Sequence, residues 1–311
     1  MASISEDCMV KLWNLAEMEK QYSDTDGNPE PFLTLRGHTG PLLAITGLTE
    51  NRKGTANENL LFTAGTEGSI KVWNTPAVSE VNQYGSTFDG KNYCIGTWSD
   101  SEHEAIWALK YHPFQDLLLA VSASNSINVW DCSQLDKTAD NAGRIKHQFN
   151  YQSANGAEKD VITCCTWIET EQHQFAAGNV NSDIVFFDML EEKVSFVAQL
   201  TKGDAVRSAI NSIIAHPSRK LIFTGHEDGS IKIYDFEADK IVQDLPNLHS
   251  DSVSCLAISN TEMQLISGSH DGSIKVWDLR KFSSTKELTQ DDLKPLNEIQ
   301  VAHKRKFDEG V

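Results

Sequence analysis

The chain has 311 residues, of which 40% are hydrophobic and 23% are charged, as in ordinary soluble globular proteins. Lys and Arg total 27 against 44 Asp and Glu, which gives a net charge of −17. This acidity disfavours binding to nucleic acid or to an anionic membrane surface, and no apolar run is long enough to cross a bilayer, so we expect no nucleic-acid partner and no membrane insertion.

One aromatic motif recurs along the chain, first as Lys11-Leu12-Trp13-Asn14. Each copy places an aromatic residue after an aliphatic or aromatic residue and before Asp or Asn. The last two copies are 43 residues apart, which matches the roughly 40–45-residue period of a propeller blade, and the longer spacings predict loop insertions. The six aromatic anchors are Trp13, Trp73, Trp130, Phe187, Tyr234 and Trp277.

Four polar segments separate the copies, and their Asp, Asn, Gly, Ser and Thr content predicts surface loops. They cover residues 17–30, 50–59, 133–144 and 282–292. The sequence leaves open whether these loops are spacers or docking loops.

The last copy shows the strand pattern most clearly. Val253–Ile258 is an apolar first strand, 264–267 is a second strand and 273–277 is a third. Asp271-Gly272, between the second and third strands, can adopt the positive φ angles that a tight turn needs. A fourth, more variable strand, as at 240–244, precedes each new copy. Four-stranded sheets repeated at this period predict an all-β propeller.

The copies at the two ends of the chain are incomplete. Residues 4–13 are predicted to be the turn and third strand of a repeat whose first two strands are absent, and 301–303 to be a fourth strand after which the chain stops. The sequence thus predicts one propeller domain, 1–311, that is truncated at both ends. It would hold five complete four-stranded blades plus partial terminal blades, out of a parent ring of seven blades.

Four residue types recur with the motif: a His, a Ser or Thr, an acidic residue and the aromatic anchor. A buried indole N–H requires an acceptor, which a hydroxyl supplies, and an imidazole can bridge that hydroxyl to a carboxylate. The two full sets resemble the hydrogen-bonded structural tetrads of the WD40 family. Their members are His38, Thr63, Glu67 and Trp73, and His249, Ser267, Asp271 and Trp277.

The other repeats depart from this set. Thr224 stands at the expected distance before Tyr234, but no His is evident there. Before Trp130 the hydroxyl position holds Ala120, and Phe187 has no polar side-chain atom. We expect the Trp130 and Phe187 sheets to rely on apolar packing.

A His–Ser–Asp trio also occurs in hydrolases, which need an exposed nucleophile, a base and an orienting acid. Here the trio recurs with the fold repeat and includes Trp, which favours a structural role and predicts that the chain is not an enzyme. His112-Pro113 and His216-Pro217 likewise recur after a first strand, and we interpret them as turn residues and not as metal ligands. No cofactor or metal motif is evident, so we expect neither.

Six cysteines are present, at positions 8, 94, 132, 164, 165 and 255. None forms a Cys-x-x-Cys pair, and Cys164 and Cys165 project to opposite faces of a strand. Together with the polar start of the chain, this predicts reduced thiols and a cytoplasmic protein.

The residues just before each acidic turn are expected to lie near one rim of the blades. Side chains at this rim can contact a partner or can bond only to their own turn, and the sequence leaves both possibilities open. The candidate partner-binding residues are Thr66, Ser124, Asn179, His226 and His270.

Several longer segments resemble the C-terminal propeller of the striatin family, in the same order along nearly the whole chain. They include residues 5–15, 105–109 and 267–271, and above all the ending Ala-His-Lys-Arg-Lys-Phe-Asp-Glu at 302–309. Striatins are regulatory subunits of protein phosphatase 2A. The resemblance therefore implies a non-enzymatic signalling scaffold that docks germinal-centre kinases and adaptors into a complex containing phosphatase 2A.

The striatin family binds the phosphatase through an N-terminal coiled coil and carries calmodulin-binding segments upstream of the propeller. No sustained heptad occurs in these 311 residues, so we expect the chain not to bind the phosphatase core unaided. Two alternative functions remain open. A ubiquitin-ligase substrate receptor would need clustered arginines, where this chain has scattered ones such as Arg36 and Arg207, and a propeller hydrolase would need one deep polar site.

Overall fold

A computed structural model of the chain describes residues 1–15, 30–47, 60–75, 93–99, 102–112, 114–133, 135, 143–152, 160–201, 207–259, 261, 263–280 and 297–300. Most of each predicted insertion lies outside these ranges, as do Pro113 and the ending 302–309. The chain forms two compact units, Met1–Tyr151 and Gln152–Val311.

Three antiparallel sheets lie in the described part of the first unit, and in each the hydrogen-bonded neighbours are also neighbours along the chain. The first sheet holds three strands, and the second and third hold four each. The strands are β1 (Ala2–Ile4), β2 (Val10–Leu12) and β3 (Leu33–Leu35); β4 (Leu42–Gly47), β5 (Leu60–Gly65), β6 (Ser69–Asn74) and β7 (Cys94–Ser99); and β8 (Ile106–Tyr111), β9 (Leu117–Ser122), β10 (Ser126–Asp131) and β11 (Arg144–Asn150).

Three further antiparallel sheets, each of four strands, lie in the described part of the second unit. They follow the same up-and-down order. The strands are β12 (Ile162–Trp167), β13 (Gln174–Asn179), β14 (Asp183–Asp188) and β15 (Lys193–Gln199); β16 (Ile210–Ala215), β17 (Leu221–His226), β18 (Ile231–Asp235) and β19 (Lys240–Leu245); and β20 (Val253–Ile258), β21 (Gln264–Ser269), β22 (Ser273–Asp278) and β23 (Asn297–Gln300).

The structure confirms the all-β class and the five four-stranded sheets that the sequence predicts. The prediction was wrong at the start of the chain, where β1 precedes the turn and pairs with β2 from Ala2↔Leu12 to Ile4↔Val10. Three residues suffice for this strand because the Met1 carbonyl also accepts the Trp13 N–H at 2.8 Å. At the other end β23 is the fourth strand, and the predicted strand 301–303 lies outside the described residues.

The turn between the second and third strands has the same backbone shape in every four-stranded sheet. Its third residue has a positive φ, between 63° and 79°. Glycine adopts this conformation without steric strain, and Asn tolerates it better than most residues do. The predicted turn at Asp271-Gly272 is confirmed, but the positive φ occurs at Gly alone, and three residues separate the two strands. The sheets without glycine use Asn or Ser in its place. The five residues are Gly68, Asn125, Ser182, Gly229 and Gly272.

A β-bulge interrupts the pairing of the first strand with the second in every four-stranded sheet. The second residue of the first strand has no partner, so two residues face one on the neighbouring strand. The side chain of this extra residue therefore does not follow the alternation of side chains between the two faces of the sheet. The five bulge residues are Leu43, Trp107, Thr163, Asn211 and Ser254.

The hydrophobic core of each unit lies between consecutive sheets, and the aromatic anchors fill it. Trp73 of β6 packs into a cluster with residues of the first sheet. Trp130 of β10 stacks on Trp98 of β7 with ring centroids 5.5 Å apart. In the second unit Tyr234 of β18 approaches Phe186 of β14 at 6.3 Å. Each of these anchors therefore packs against the sheet that precedes its own.

Hydroxyl groups link the first strands of consecutive sheets within each unit. The Thr46 hydroxyl accepts the Tyr111 N–H at 3.2 Å, which joins β4 to β8. The Ser212 hydroxyl accepts the Leu256 N–H at 3.0 Å, which joins β16 to β20. These bonds fix the position of one first strand along the length of the next. The bulges of consecutive sheets therefore lie at the same end of their first strands.

We predict that Gly229→Ala lowers the free energy of unfolding by about 2 kcal/mol or more. Gly229 has φ 78°, and a Cβ there would lie 2.4 Å from the carbonyl oxygen of His249. Chemical denaturation measures the change. The matched control is Asn125→Gly, which relieves a positive φ of 63° in the equivalent turn and should not destabilise the protein. Equal stability of the parent and Gly229→Ala would contradict the turn assignment.

Candidate functional site

The last sheet brings together one of the two full sets that the sequence predicts. The Trp277 indole N–H donates to the Ser267 hydroxyl at 2.9 Å, and that hydroxyl lies 2.7 Å from Nε2 of His249. Nδ1 of the same imidazole lies 3.0 Å from Oδ2 of Asp271. Because a carboxylate only accepts, His249 carries its proton on Nδ1, and Ser267 donates to Nε2.

The second sheet of the first unit repeats this arrangement. Trp73 donates to the Thr63 hydroxyl at 2.7 Å, and that hydroxyl lies 2.7 Å from Nε2 of His38. Nδ1 of His38 lies 2.6 Å from Oε1 of Glu67. The longer Glu side chain fills the acidic position without breaking the chain of bonds. In both sets the hydroxyl is fully buried.

Both acids are held in the ionised form. Burial alone would raise the pKa of Glu67, but hydrogen bonds from Ser69 and Thr39 and the adjacent His38 lower it to about 2. Burial likewise opposes ionisation of Asp271, and bonds from Ser273, Ser250 and His249 lower its pKa overall. Burial lowers the pKa of His38, so this imidazole stays neutral at neutral pH.

A related pair occurs in the first sheet, on the strand β1 that the sequence does not predict. The Trp13 indole N–H donates to the Ser3 hydroxyl at 2.8 Å. Hydroxyl and anchor stand ten residues apart, as they do in both full sets. That spacing was the signal that could have found Ser3.

In the Tyr234 sheet the imidazole comes from His226, which the sequence suggests only as a rim residue. His226 reaches the Thr224 hydroxyl through Nε2 at 2.9 Å, and its Nδ1–H donates to the Ser208 carbonyl at 3.1 Å. The Tyr234 hydroxyl instead donates to Asp239 at 2.6 Å. The set is therefore rebuilt from a His on the second strand, and the anchor does not join it.

Apolar packing holds the two anchors that the sequence predicts to lack a polar set. Trp130 stacks on Trp98, and its buried N–H has no acceptor among the described residues. Phe187 stacks on Phe175 with centroids 4.8 Å apart and planes 8° apart.

The five candidate rim residues divide into two groups. Thr66, Ser124 and His270 are exposed at the turns. Asn179 and His226 are fully buried, with 0% exposure, and so cannot present their side chains to a partner. Asn179 instead accepts the N–H groups of its own turn, at 2.8 and 3.0 Å.

His112 and His216 have the turn role that the sequence suggests. Nδ1 of His112 accepts the N–H groups of Phe114 and Gln115, both at 3.1 Å, and Nδ1 of His216 accepts that of Ser218 at 3.2 Å. Within the described residues no group of three or more His, Cys, Asp or Glu is arranged to hold a metal ion. No helix in the described ranges is long and apolar enough to cross a membrane.

Comparison with known proteins places these sheets in context. The family model "WD domain, G-beta repeat" matches residues 29–74, 92–131, 198–235 and 242–278. Striatin-3 of Bos taurus is 27% identical over the whole chain, and the striatin homolog of Dictyostelium discoideum is 28% identical. Human striatin-4 is 26% identical. The chain spans about a third of these relatives, between 35% and 37% of their length.

We predict that Trp277→Phe destabilises the protein by about 1–2 kcal/mol more than Trp130→Phe does. Both replacements remove the same ring atoms from a buried site. Trp277 also loses a hydrogen bond to Ser267, whereas Trp130 loses an N–H that has no described acceptor. Urea denaturation of the two variants measures the difference, and equal losses would show that the indole bond contributes nothing.

We also predict that stability falls with acid and that Glu67 carries part of the loss. Its pKa is lowered from 4.5 to about 2, so its contribution is present above about pH 4.5 and disappears as the pH falls toward 2. Because the group is partly screened by solvent, we expect about 1 kcal/mol. In the Glu67→Gln variant, the denaturation midpoint should change less with pH in this window than it does in the parent chain. An unchanged slope would rule out this role.

Proposed function

Because the chain belongs to the WD40 repeat family and has the antiparallel sheets of its propeller class, we propose that it is a non-enzymatic protein-interaction scaffold. The observation that carries this proposal is that the two complete His–hydroxyl–acid trios among the described residues make structural hydrogen bonds. The hydroxyls of Thr63 and Ser267 have 0% exposure and are each bonded to an indole and an imidazole. A nucleophile must meet its substrate, and these hydroxyls lie out of reach.

The resemblance to striatins supports a finer assignment. We propose that these blades dock germinal-centre kinases and adaptors into a cytoplasmic signalling complex that contains protein phosphatase 2A. The chain matches about a third of the length of each striatin. In this proposal, that matching third is the part of a striatin that docks partner proteins. The exposed turn residues Thr66, Ser124 and His270 are the candidate contacts.

Affinity capture with the tagged 311-residue chain tests this function. We expect protein kinases of the germinal-centre class and adaptor proteins to be enriched over a tag-only control. The purified phosphatase 2A core should show no tight binding to the chain, because the 311 residues contain no sustained heptad for a coiled coil.

Gly229→Ala is the control for folding. The fraction of partner proteins that it fails to capture should equal the fraction of the variant that is unfolded. Tight binding of the phosphatase core by the chain alone would contradict the docking assignment. Enrichment of no protein by the folded chain would overturn the scaffold function itself.

A further inference from the structure

The bulge residues differ in chemistry between the two units. In the second unit Thr163 and Ser254 turn their hydroxyls back onto the sheet, where they donate to the Gly178 and Gly268 carbonyls, both at 3.1 Å. The first unit has Leu43 and Trp107 at the equivalent positions, and neither can make such a bond.

These two side chains are large, apolar and open to solvent. Leu43 is 39% exposed and Trp107 is 44% exposed. Leu43 and Trp107 place apolar area in water where Thr163 and Ser254 make a local hydrogen bond. Departures of this kind from a local rule concentrate at functional sites. Neither side chain belongs to the two hydrophobic clusters described for the first unit.

Leu43 and Trp107 lie at equivalent bulges of consecutive first strands. In the second unit the Thr163 hydroxyl also donates to the carbonyl of Ile210, the residue just before the next bulge. We infer that the same offset between β4 and β8 brings Leu43 close to Trp107, in agreement with the bond from Tyr111 to Thr46 further along the two strands.

Two acidic residues lie three and five positions before Trp107 along the chain. Glu102 and Glu104 are exposed just before β8. The turn of the preceding sheet lies against them, because a Cβ on Gly68 would be 2.9 Å from the Glu104 nitrogen. The same turn carries the exposed Thr66, whose N–H donates to the Pro41 carbonyl at 3.0 Å.

We propose that Leu43, Thr66, Glu102, Glu104 and Trp107, here named the Trp107 surface, bind a basic segment of a partner protein that inserts an arginine against the indole. The charge favours this occupant, because the segments 38–43, 66–68 and 102–107 contain no Lys or Arg and the chain carries a net charge of −17. An arginine guanidinium stacks on an indole face and pairs with carboxylates, while an aliphatic neighbour covers Leu43. This inference rests on the proposed scaffold function and names the chemistry of its partner.

A labelled nonapeptide in which arginine alternates with leucine is the probe, and fluorescence anisotropy with the intact chain is the measurement. We expect binding that weakens with salt, since Debye screening shortens from about 10 Å at 0.1 M to about 3 Å at 1 M. A peptide with citrulline in place of arginine keeps the shape and loses the charge, so it should bind at least about tenfold more weakly. Equal binding of the two peptides would overturn the proposal.

Variants of the Trp107 surface give the second readout. Trp107→Ala should weaken binding about fivefold through loss of the cation–π contact, and the double variant Glu102→Lys, Glu104→Lys about tenfold or more. Phe114→Ala and Glu192→Lys alter an exposed aromatic and an exposed acid elsewhere and should change affinity less than about twofold. Equal losses at these control positions would mean that net charge alone attracts the peptide, which overturns the proposal. Glu102 and Glu104 are both exposed, so we expect the double Lys variant to fold, and its result decides the case even if Trp107→Ala unfolds.

Affinity capture separates failure of this surface from failure of the scaffold function. If the double Lys variant is as stable as the parent chain but captures fewer partner proteins, the proposal is supported. If that variant captures the same proteins as the parent chain, the scaffold function stands and the Trp107 surface is not its docking site.

Discussion

Packing of an aromatic anchor against the preceding sheet is the interaction on which the rest of each unit depends. A four-stranded sheet of six-residue strands cannot bury its own faces, so neighbouring sheets must supply the second layer of the core. Trp73, Trp130 and Tyr234 do this from the same position of the third strand, and in each case the buried cluster spans two consecutive sheets. That packing sets the positions of the bulges, the turns and the rim residues.

Burying an indole creates an electrostatic requirement that the sheets meet in different ways. Where a hydroxyl stands ten residues before the indole, as with Ser267 and Trp277, the N–H is satisfied, and in the two full sets a His and an acid complete the chain of bonds. Where that position holds alanine, Trp130 relies on stacking with Trp98. The same architecture therefore tolerates polar and apolar solutions, and a trio with the composition of a hydrolase site becomes a structural support.

The fold was largely predictable because its signals are local and repeated. Strand alternation and the anchor motif mark the five four-stranded sheets, Asp-Gly turns mark two of them, and the two full sets follow from residue types at fixed separations. The failures have physical causes. β1 is only three residues long and so lacks periodicity, and His226 enters its set from the second strand instead of from the loop before the first. Burial of Asn179 and exposure of Trp107 depend on side-chain direction at a turn and at a bulge, which the sequence does not specify.

Because of the bulge at the second residue of each first strand, the side chain at that position can vary independently of the backbone pairing that holds the sheet together. A residue without a cross-strand partner can change from Thr to Trp, as between Thr163 and Trp107, while the flanking pairs keep their register. Such sites can diverge between related proteins with little effect on folding. New binding preferences can thus arise by mutation one blade at a time on an unaltered frame.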